Sequence, residues 1–426
     1  MQNRPVLIHS TNHLLSDLEL RLSDESIKIE TWFRKQWHEY QVPFTTSVDI
    51  RNAGYKMAVI DTNLFPAGFN NIHPAQIPLA HLAVQHYWEQ YMPQCEKIIL
   101  IPESHSRNLH YFHSLWVLFS ILIKAGFEVR IASIDPTVTE AKTIAIENIG
   151  ELRIYPLERT GKSVHISDFK PCAIILNNDL SEGIPEILKD VSQAIYPPLA
   201  LGWATRLKSE HFMHYQTVCH AFANLLLMDP WFFNPLFRSC GEINFMEREG
   251  EDCLVQHVDF LLAAIQQKYD EYQIKDAPFV IVKADAGTYG MGIMTVRNID
   301  EVRTMNRKAR TRMAVGKGRK PITSVLVQEG VYSHEIMAHN KAIAEPVVYM
   351  LGQCVVGGFY RLHAGRANDE NLNSPGMYFE PIPFSGPCNN PILNDTSSDS
   401  RRLYAYSVLA RVALLASAYE WKQATR

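Results

Sequence analysis

Two periods of hydrophobic spacing divide this chain into alternating helical and extended stretches. Within residues 1–45, Leu14, Leu15, Leu18 and Leu22 recur at helical spacing beside charged positions, the pattern of helices with one apolar face. Short extended patterns at 48–50 and 56–60 flank a turn at 52–54. Residues 78–91 predict a helix, with Leu79, Ala83, Tyr87 and Tyr91 at i, i+4 spacing and Pro93 beyond its end. A buried strand at 97–101, a polar loop, an apolar helix at 109–125 stopped by Gly126 and a strand at 127–132 make a βαβ unit. Further strands are predicted within 144–157 and 163–166. Another, at 171–176, runs into Asn177-Asn178-Asp179, and a helix is predicted at 184–195. This middle region has the pattern of a doubly wound α/β domain, and Tyr196-Pro197-Pro198 is its linker.

Downstream, 199–234 and 240–276 are patterned as helices, and Phe279-Val-Ile-Val282 is a strand running into Lys283. A loop with Gly287, Gly290 and Gly292 follows, then a return strand at 293–296. Residues 299–314 predict a basic helix and 315–321 a basic loop, whose charge fits a solvated face. A buried strand at 324–331 ends in Gln328 and Glu329, and the stretches 342–351 and 353–363 form a hairpin about Gly352 whose second arm carries Arg361. An Asn-rich turn occupies 368–376. The closing helix, 401–421, is apolar on nearly every face and is predicted to be buried.

Composition changes this picture little. At 426 residues, 46% hydrophobic and 20% charged, the chain is globular with room for two or three domains. A formal net charge of −4 excludes a broad nucleic-acid surface. Seven scattered cysteines, an odd number without a Cys-x-x-Cys pair, predict neither a disulfide framework nor a zinc site and fit a reducing cytoplasm. The longest apolar run, near 115–123, is too short to span a bilayer, and residues 1–5 carry no signal-like apolar segment.

Three clusters carry candidate chemistry. Glycines let backbone N–H groups approach a polyphosphate closely, and Lys283 would add a cation there. A glycine-rich hairpin turn with a surface lysine fits the same residues. Strand alternation puts Asp61 and Asn63 on one face, a carboxylate beside an amide oxygen, suited to Mg²⁺; an Asx-rich turn is the other reading. Glu103, Arg107 and Asn108 follow a strand of the βαβ unit, where open α/β sheets bind small ligands, although a solvated loop has the same composition.

The order of these pieces resembles the ATP-grasp ligases, in which two α+β lobes clamp ATP. The resemblance implies that Lys283 and the loop of Gly287, Gly290 and Gly292 bind phosphates. It implies an adenine hinge at Gln328, Glu329 and Val331, and a further ATP lysine at Lys208. Arg361 is implied as a catalytic residue beside Lys283, contacting substrate or phosphate. The family's metal-binding Asp/Glu-x-Asn strand should follow the closing helix, but here the sequence given stops at Arg426. Asp61-Thr62-Asn63 has that pattern, so a circular permutation as in eukaryotic-type glutathione synthetases is expected, with Asp49 as a helper. The 369–373 turn is a second place for the metal. The implied organisation is an N-terminal permuted part at 1–95, the substrate domain at 96–198, a helical connection at 199–276 and the ATP-grasp lobes at 277–426.

At whole-chain level the sequence is similar to a bacterial family of glutamate–cysteine ligases, most closely over 279–292, 324–334 and 345–377. That similarity implies ATP and Mg²⁺ as cofactors and L-glutamate and L-cysteine as small-molecule substrates, with γ-glutamylcysteine, ADP and phosphate as products. Amino-acid contacts are expected at Glu103, Arg107 and Asn108 from their place after a strand of the βαβ unit, at Arg361 from the resemblance, and at Asn373 of the Asn-rich turn. Another ATP-grasp amino-acid ligase or a small-molecule kinase are the alternatives. No nucleic-acid or membrane partner is expected, and the residues leave a homo-oligomer open.

Overall fold

The structure, a computed structural model, describes residues 7–8, 13–104, 108–287, 292–316, 321–382, 384 and 397–425. Among these, the strands form sheets of seven, six, four and two strands. The six-stranded sheet runs Ala194–Tyr196, Ala173–Asn177, Lys97–Pro102, Glu128–Ser133, Gly150–Pro156 and Lys142–Ile146, parallel except at the last pairing. Its three central strands, Ala173–Asn177, Lys97–Pro102 and Glu128–Ser133, are largely apolar on both faces because both are covered. Ile98, Leu100, Val129, Ile131 and Ile175 join the core that includes Leu115 and Leu122 of the helix Leu109–Lys124. Ile99, Ile101, Ala132, Ile174 and Leu176 join a second cluster with Phe65, Leu201 and Trp203.

Two sequence expectations fail in this region. The helix at 184–195 is absent: only a 3₁₀ turn, Glu186–Leu188, and a short strand, Ala194–Tyr196, form. Pro185 opens that turn with extended backbone, and Asp190 adopts a left-handed φ of 53°, which interrupts a helix. The apolar spacing instead seats Leu188 and Ile195 against the second core cluster. The expectation of unpaired cysteines also fails, since Cys95 and Cys172 form a disulfide across a sequence separation of 77 residues. Cys172 directly precedes one strand and Cys95 lies two residues before another, and those strands lie side by side, with Ala173 opposite Ile98. Cysteine spacing cannot foretell a pairing that the sheet creates.

The four-stranded sheet is antiparallel, in the order Phe237–Cys240, Val325–Glu329, Val280–Ala284, Ile293–Val296. The basic stretch beyond it is two helices, Ile299–Arg303 and Arg307–Ala314, the second started by Asn306, whose side chain accepts from Ala309 N.

The seven-stranded sheet decides the architecture. Its hairpin of Ile343–Leu351 and Cys354–His363, turning at Gly352 with φ 55°, is the predicted one. The strand Thr45–Asn52 pairs antiparallel with Ile343–Leu351, and Met57–Asn63 pairs onto Thr45–Asn52. Strands near the N-terminus therefore complete a sheet built from the C-terminal third. Behind it, Ser398–Ala424 is buried on nearly every face, enclosed by the first helices, by Lys208–Leu226 and by the sheet. Its polar residues are paired: Arg402 Nε reaches Glu19 at 2.7 Å and Arg411 reaches Glu30 at 2.6 Å. None of the described helices is long and apolar enough to cross a membrane.

Candidate active site

The polar face of the seven-stranded sheet forms the floor of the site. Register sets Asp49 opposite Asp61 on one side and Val347 on the other. Along the same face Glu345 accepts from Arg51 Nε at 2.9 Å and from Arg361 at 3.1 Å, and Arg361 also donates to Asp49 at 2.7 Å. Burial would raise Glu345, but Arg51 and Arg361 overcome it and hold its carboxyl low. Asp49 shares only Arg361, and burial pushes it up.

Two lysines approach this floor from other elements. Lys283, on the strand Val280–Ala284, is buried and donates to Ile60 O at 2.7 Å and to Gln328 Oε1 at 2.9 Å. Burial pushes its ammonium down to about 8, against the upward pull of Asp61. Lys208, the first residue of its helix, lies 3.2 Å from Asp61 Oδ1 and 3.9 Å from the centroid of Trp203. Burial alone would raise Asp61, but Lys208 and Lys283 hold its carboxyl well below the usual range. Its side chain nevertheless keeps 39% exposure, so the carboxylate can still reach a ligand.

Residues that sequence reasoning missed hold this arrangement. Asp285 accepts from Ser209 N and Ser209 Oγ, both at 2.7 Å, and so fixes the start of the Lys208 helix. The available signal was its place two residues after Lys283, on the same side of the strand. Arg206 forks onto Glu420 with two contacts of 2.9 Å and donates to Thr62 O at 2.7 Å, between Asp61 and Asn63. His211 lies 2.7 Å from Glu420 Oε2 and 2.9 Å from Thr62 Oγ1. Burial would raise Glu420, but Arg206 and His211 hold it at about 2, below the ordinary 4.5. A depressed folded pKa contributes stability above pH 4.5 that is lost as pH falls toward 2, about 3 kcal/mol here. Glu420→Gln is therefore expected to cost about 2 kcal/mol at pH 7 and to flatten the acid limb below pH 4.5. Urea unfolding at pH 7 and pH 3 measures both.

The remaining predicted residues fall into three groups. Gly287 and Gly292 have left-handed φ of 93° and 62°, and a Cβ on Gly292 would lie 2.5 Å from Ile322 Cδ1. Gly290 lies outside the described residues, as does Arg107. Gln328 turns onto Lys283, whereas the Glu329 side chain holds Lys56 at 2.9 Å and accepts from Trp231 Nε1 and Leu236 N. Val331 is buried, and its carbonyl accepts from Arg51. Glu103 accepts from Asp179 N, and Asp179 O accepts from Trp203 N, which links the parallel sheet to Lys208. Asn108 caps the helix Leu109–Lys124. Asn373 donates its backbone N–H to Asn371 Oδ1, and Asp369 is paired with Arg297.

The donor set can be tested for Mg²⁺, which takes hard oxygens and keeps water and substrate phosphate among its ligands. Asp61 and Asp49 supply two carboxylates on neighbouring strands. Asn63 Oδ1 already accepts from Phe65 N at 3.0 Å and from Trp203 Nε1 at 3.4 Å. The acids do not converge into a closed cage of three among the described residues. The residues fit an ion held by one or two carboxylates and completed by phosphate.

The site sets two lysines and two arginines around carboxylates at the meeting of two sheets. That suits holding a polyphosphate and a carboxylate substrate together. No curated protein sequence matches this chain. A solved structure from Methylobacillus flagellatus KT, bearing the provisional name gamma-glutamylcysteine synthetase, is 48% identical. It matches over 99% of this chain and 100% of its own at TM-score 0.91. D-alanyl-alanine synthetase A from Vibrio cholerae is 10% identical, over 75% of this chain and 81% of its own, at TM-score 0.36. A glutathione synthetase-like effector from Globodera pallida is also 10% identical, over 89% and 84%, at TM-score 0.36. The fold is mixed α/β, with the N-terminal strands joined to the C-terminal sheet. The family profile for glutamate-cysteine ligase (GshA) matches residues 19–421, and the chain belongs to that family.

Proposed function

We propose that the cleft between Lys283 and the Asp49–Asp61 floor carries the family's reaction, ATP-dependent joining of the L-glutamate γ-carboxylate to L-cysteine. The observation that supports it most is the buried lysine pair, Lys208 and Lys283, around a half-exposed Asp61. A free carboxylate must be activated before an amine can displace its oxygen, and transfer of the ATP γ-phosphoryl group gives an acyl phosphate. Phosphoryl transfer needs little covalent help, only positioning and cations where negative charge spreads. Lys283 and Lys208 would bind phosphate oxygens, Arg361 would orient a carboxylate or phosphate, and the glycine turn would exclude water from the acyl phosphate. Mg²⁺, held by Asp61 and Asp49, would supply further positive charge on the phosphates. The cysteine amine then attacks the acyl carbon, its proton leaves and phosphate departs. Gln328, Glu329 and Val331 fit an adenine hinge through their backbone, and Glu103, Asn108 and Asn373 an amino-acid pocket.

ATP and free amino acids also favour a cytoplasmic setting. The test is to add hydroxylamine with ATP and glutamate but no cysteine. γ-Glutamyl hydroxamate and stoichiometric ADP are expected. ADP without hydroxamate would mark a kinase, and ADP release indifferent to glutamate would sink the proposal.

A further inference from the structure

We propose that Cys240, Cys253 and His257 form a zinc site that fastens an edge strand to the helix behind it, away from the substrate cleft. Cys240 ends the strand Phe237–Cys240, at the margin of the four-stranded sheet. Cys253 and His257 sit one turn apart on the helix Glu251–Glu271, so their side chains share a face. Their ligand atoms all lie within 4.8 Å of one another, and this is the one such His, Cys, Asp or Glu group among the described residues. The two sulfurs are 3.1 Å apart, and Cys253 Sγ is 4.0 Å from His257 Nδ1.

These separations are close to what a tetrahedral ion requires. Zn–S bonds of about 2.3 Å and Zn–N bonds of about 2.0 Å imply S···S near 3.8 Å and S···N near 3.5 Å. Each observed distance differs by less than about 1 Å, within reach of small side-chain rotations. Two thiolates and an imidazole select a borderline-soft ion over Mg²⁺. The chain supplies three ligands, and water completes the fourth position. Binding would release the two thiol protons to solvent.

The position gives the ion a structural effect. Cys240 is opposite Val325, and Val325 is opposite Ala284, at the end of the sheet from which the glycine turn leaves. The loop between strand and helix, 241–250, carries its own Asn244–Glu249 bridge and is seated by buried Ile243 and Phe245 and by Ile243 N donating to Thr323 O. A metal clip across it would hold the edge strand in register. A Cys240–Cys253 disulfide is the competing use of the same sulfurs, but it gives His257 no part.

The test is to titrate the untagged, reduced, chelator-stripped full chain with Co²⁺ and then with Zn²⁺. One equivalent of cobalt is expected to produce a near-ultraviolet thiolate-to-cobalt band that one equivalent of zinc abolishes. Cys253→Ser should lose about half of that band, and His257→Ala should weaken zinc binding by about tenfold or more. Asp61→Asn should leave the band unchanged, which separates this site from any ion in the cleft. Zinc should also raise the thermal midpoint of the wild type but not of a variant carrying both Cys253→Ser and His257→Ala. Absence of the band in reduced protein, or its persistence in both single variants, overturns the proposal. So does air oxidation to a Cys240–Cys253 disulfide that one equivalent of zinc fails to slow.

Discussion

Lys283→Ala is expected to abolish measurable ligation while leaving the fold intact. The buried ammonium is the cation at the junction of the two sheets, and its loss removes a preorganised contact to a transferring phosphoryl group. Contacts of that kind are worth about 3 to 4 kcal/mol in the barrier, a hundredfold to a thousandfold in kcat. Ile60 O and Gln328 Oε1 lose their donor, so a modest fall in thermal midpoint is also expected. Steady-state kinetics with calorimetry separate the two effects. The pH dependence gives a second readout. Burial pushes Lys283 down to about 8, so the free enzyme loses this charge as pH rises past that value. ATP affinity, measured directly and without cysteine, is expected to fall above pH 8. Lys283→Arg keeps its charge there and should lose that limb even if its activity is poor. A wild-type affinity flat to pH 9.5, about 1.5 units above that value, would remove Lys283 from phosphate binding.

Asp61→Asn is expected to raise the Mg²⁺ concentration for half-maximal rate by about tenfold or more and to lower kcat by about a hundredfold. The carboxylate is the exposed member of the floor, and it balances Lys208 and Lys283. An amide of the same shape keeps one acceptor but contributes no charge to a hard cation. Neutralising Asp61 removes one negative charge from the floor that ATP approaches but also removes its upward pull on Lys283, so metal-free ATP should bind at least as tightly as before where pH keeps Lys283 protonated. Isothermal titration with and without Mg²⁺ tests both halves. Unchanged Mg²⁺ dependence would move the metal off this strand.

Much of the chemistry was legible from local pattern. The run from Phe279 to Val282 is a short continuous apolar and β-branched stretch leading into Lys283, and the glycines after it mark a turn. The hairpin about Gly352 needed only two extended stretches and one residue tolerant of positive φ. Where local pattern misled, a longer-range contact had claimed the same residues. Leu188 and Ile195 have helical spacing but pack into a core made by Phe65, Leu201 and Trp203.

Other parts of the site left no local trace. Arg206 and Glu420 are 214 residues apart, and Arg51 and Glu345 are 294 apart. A buried charge is tolerated only with its partner, and a sequence read in windows shows one charge at a time. Asp285 is the intermediate case: its neighbour Lys283 attracts notice, but its work on Ser209 appears only when the helix arrives.

For this protein the sequence by itself determined, outside 184–195, most of the strands, helices and turns, and which of them bear cations, carboxylates and glycines. Those are consequences of side-chain period and backbone allowance, which act over a few residues. Tertiary structure alone decided that Asp49 sits between Asp61 and Val347, in one sheet with Arg361. Strand pairing is non-local, and its register is set by burying Val48, Ile50 and Val59 against the C-terminal helix and its neighbours.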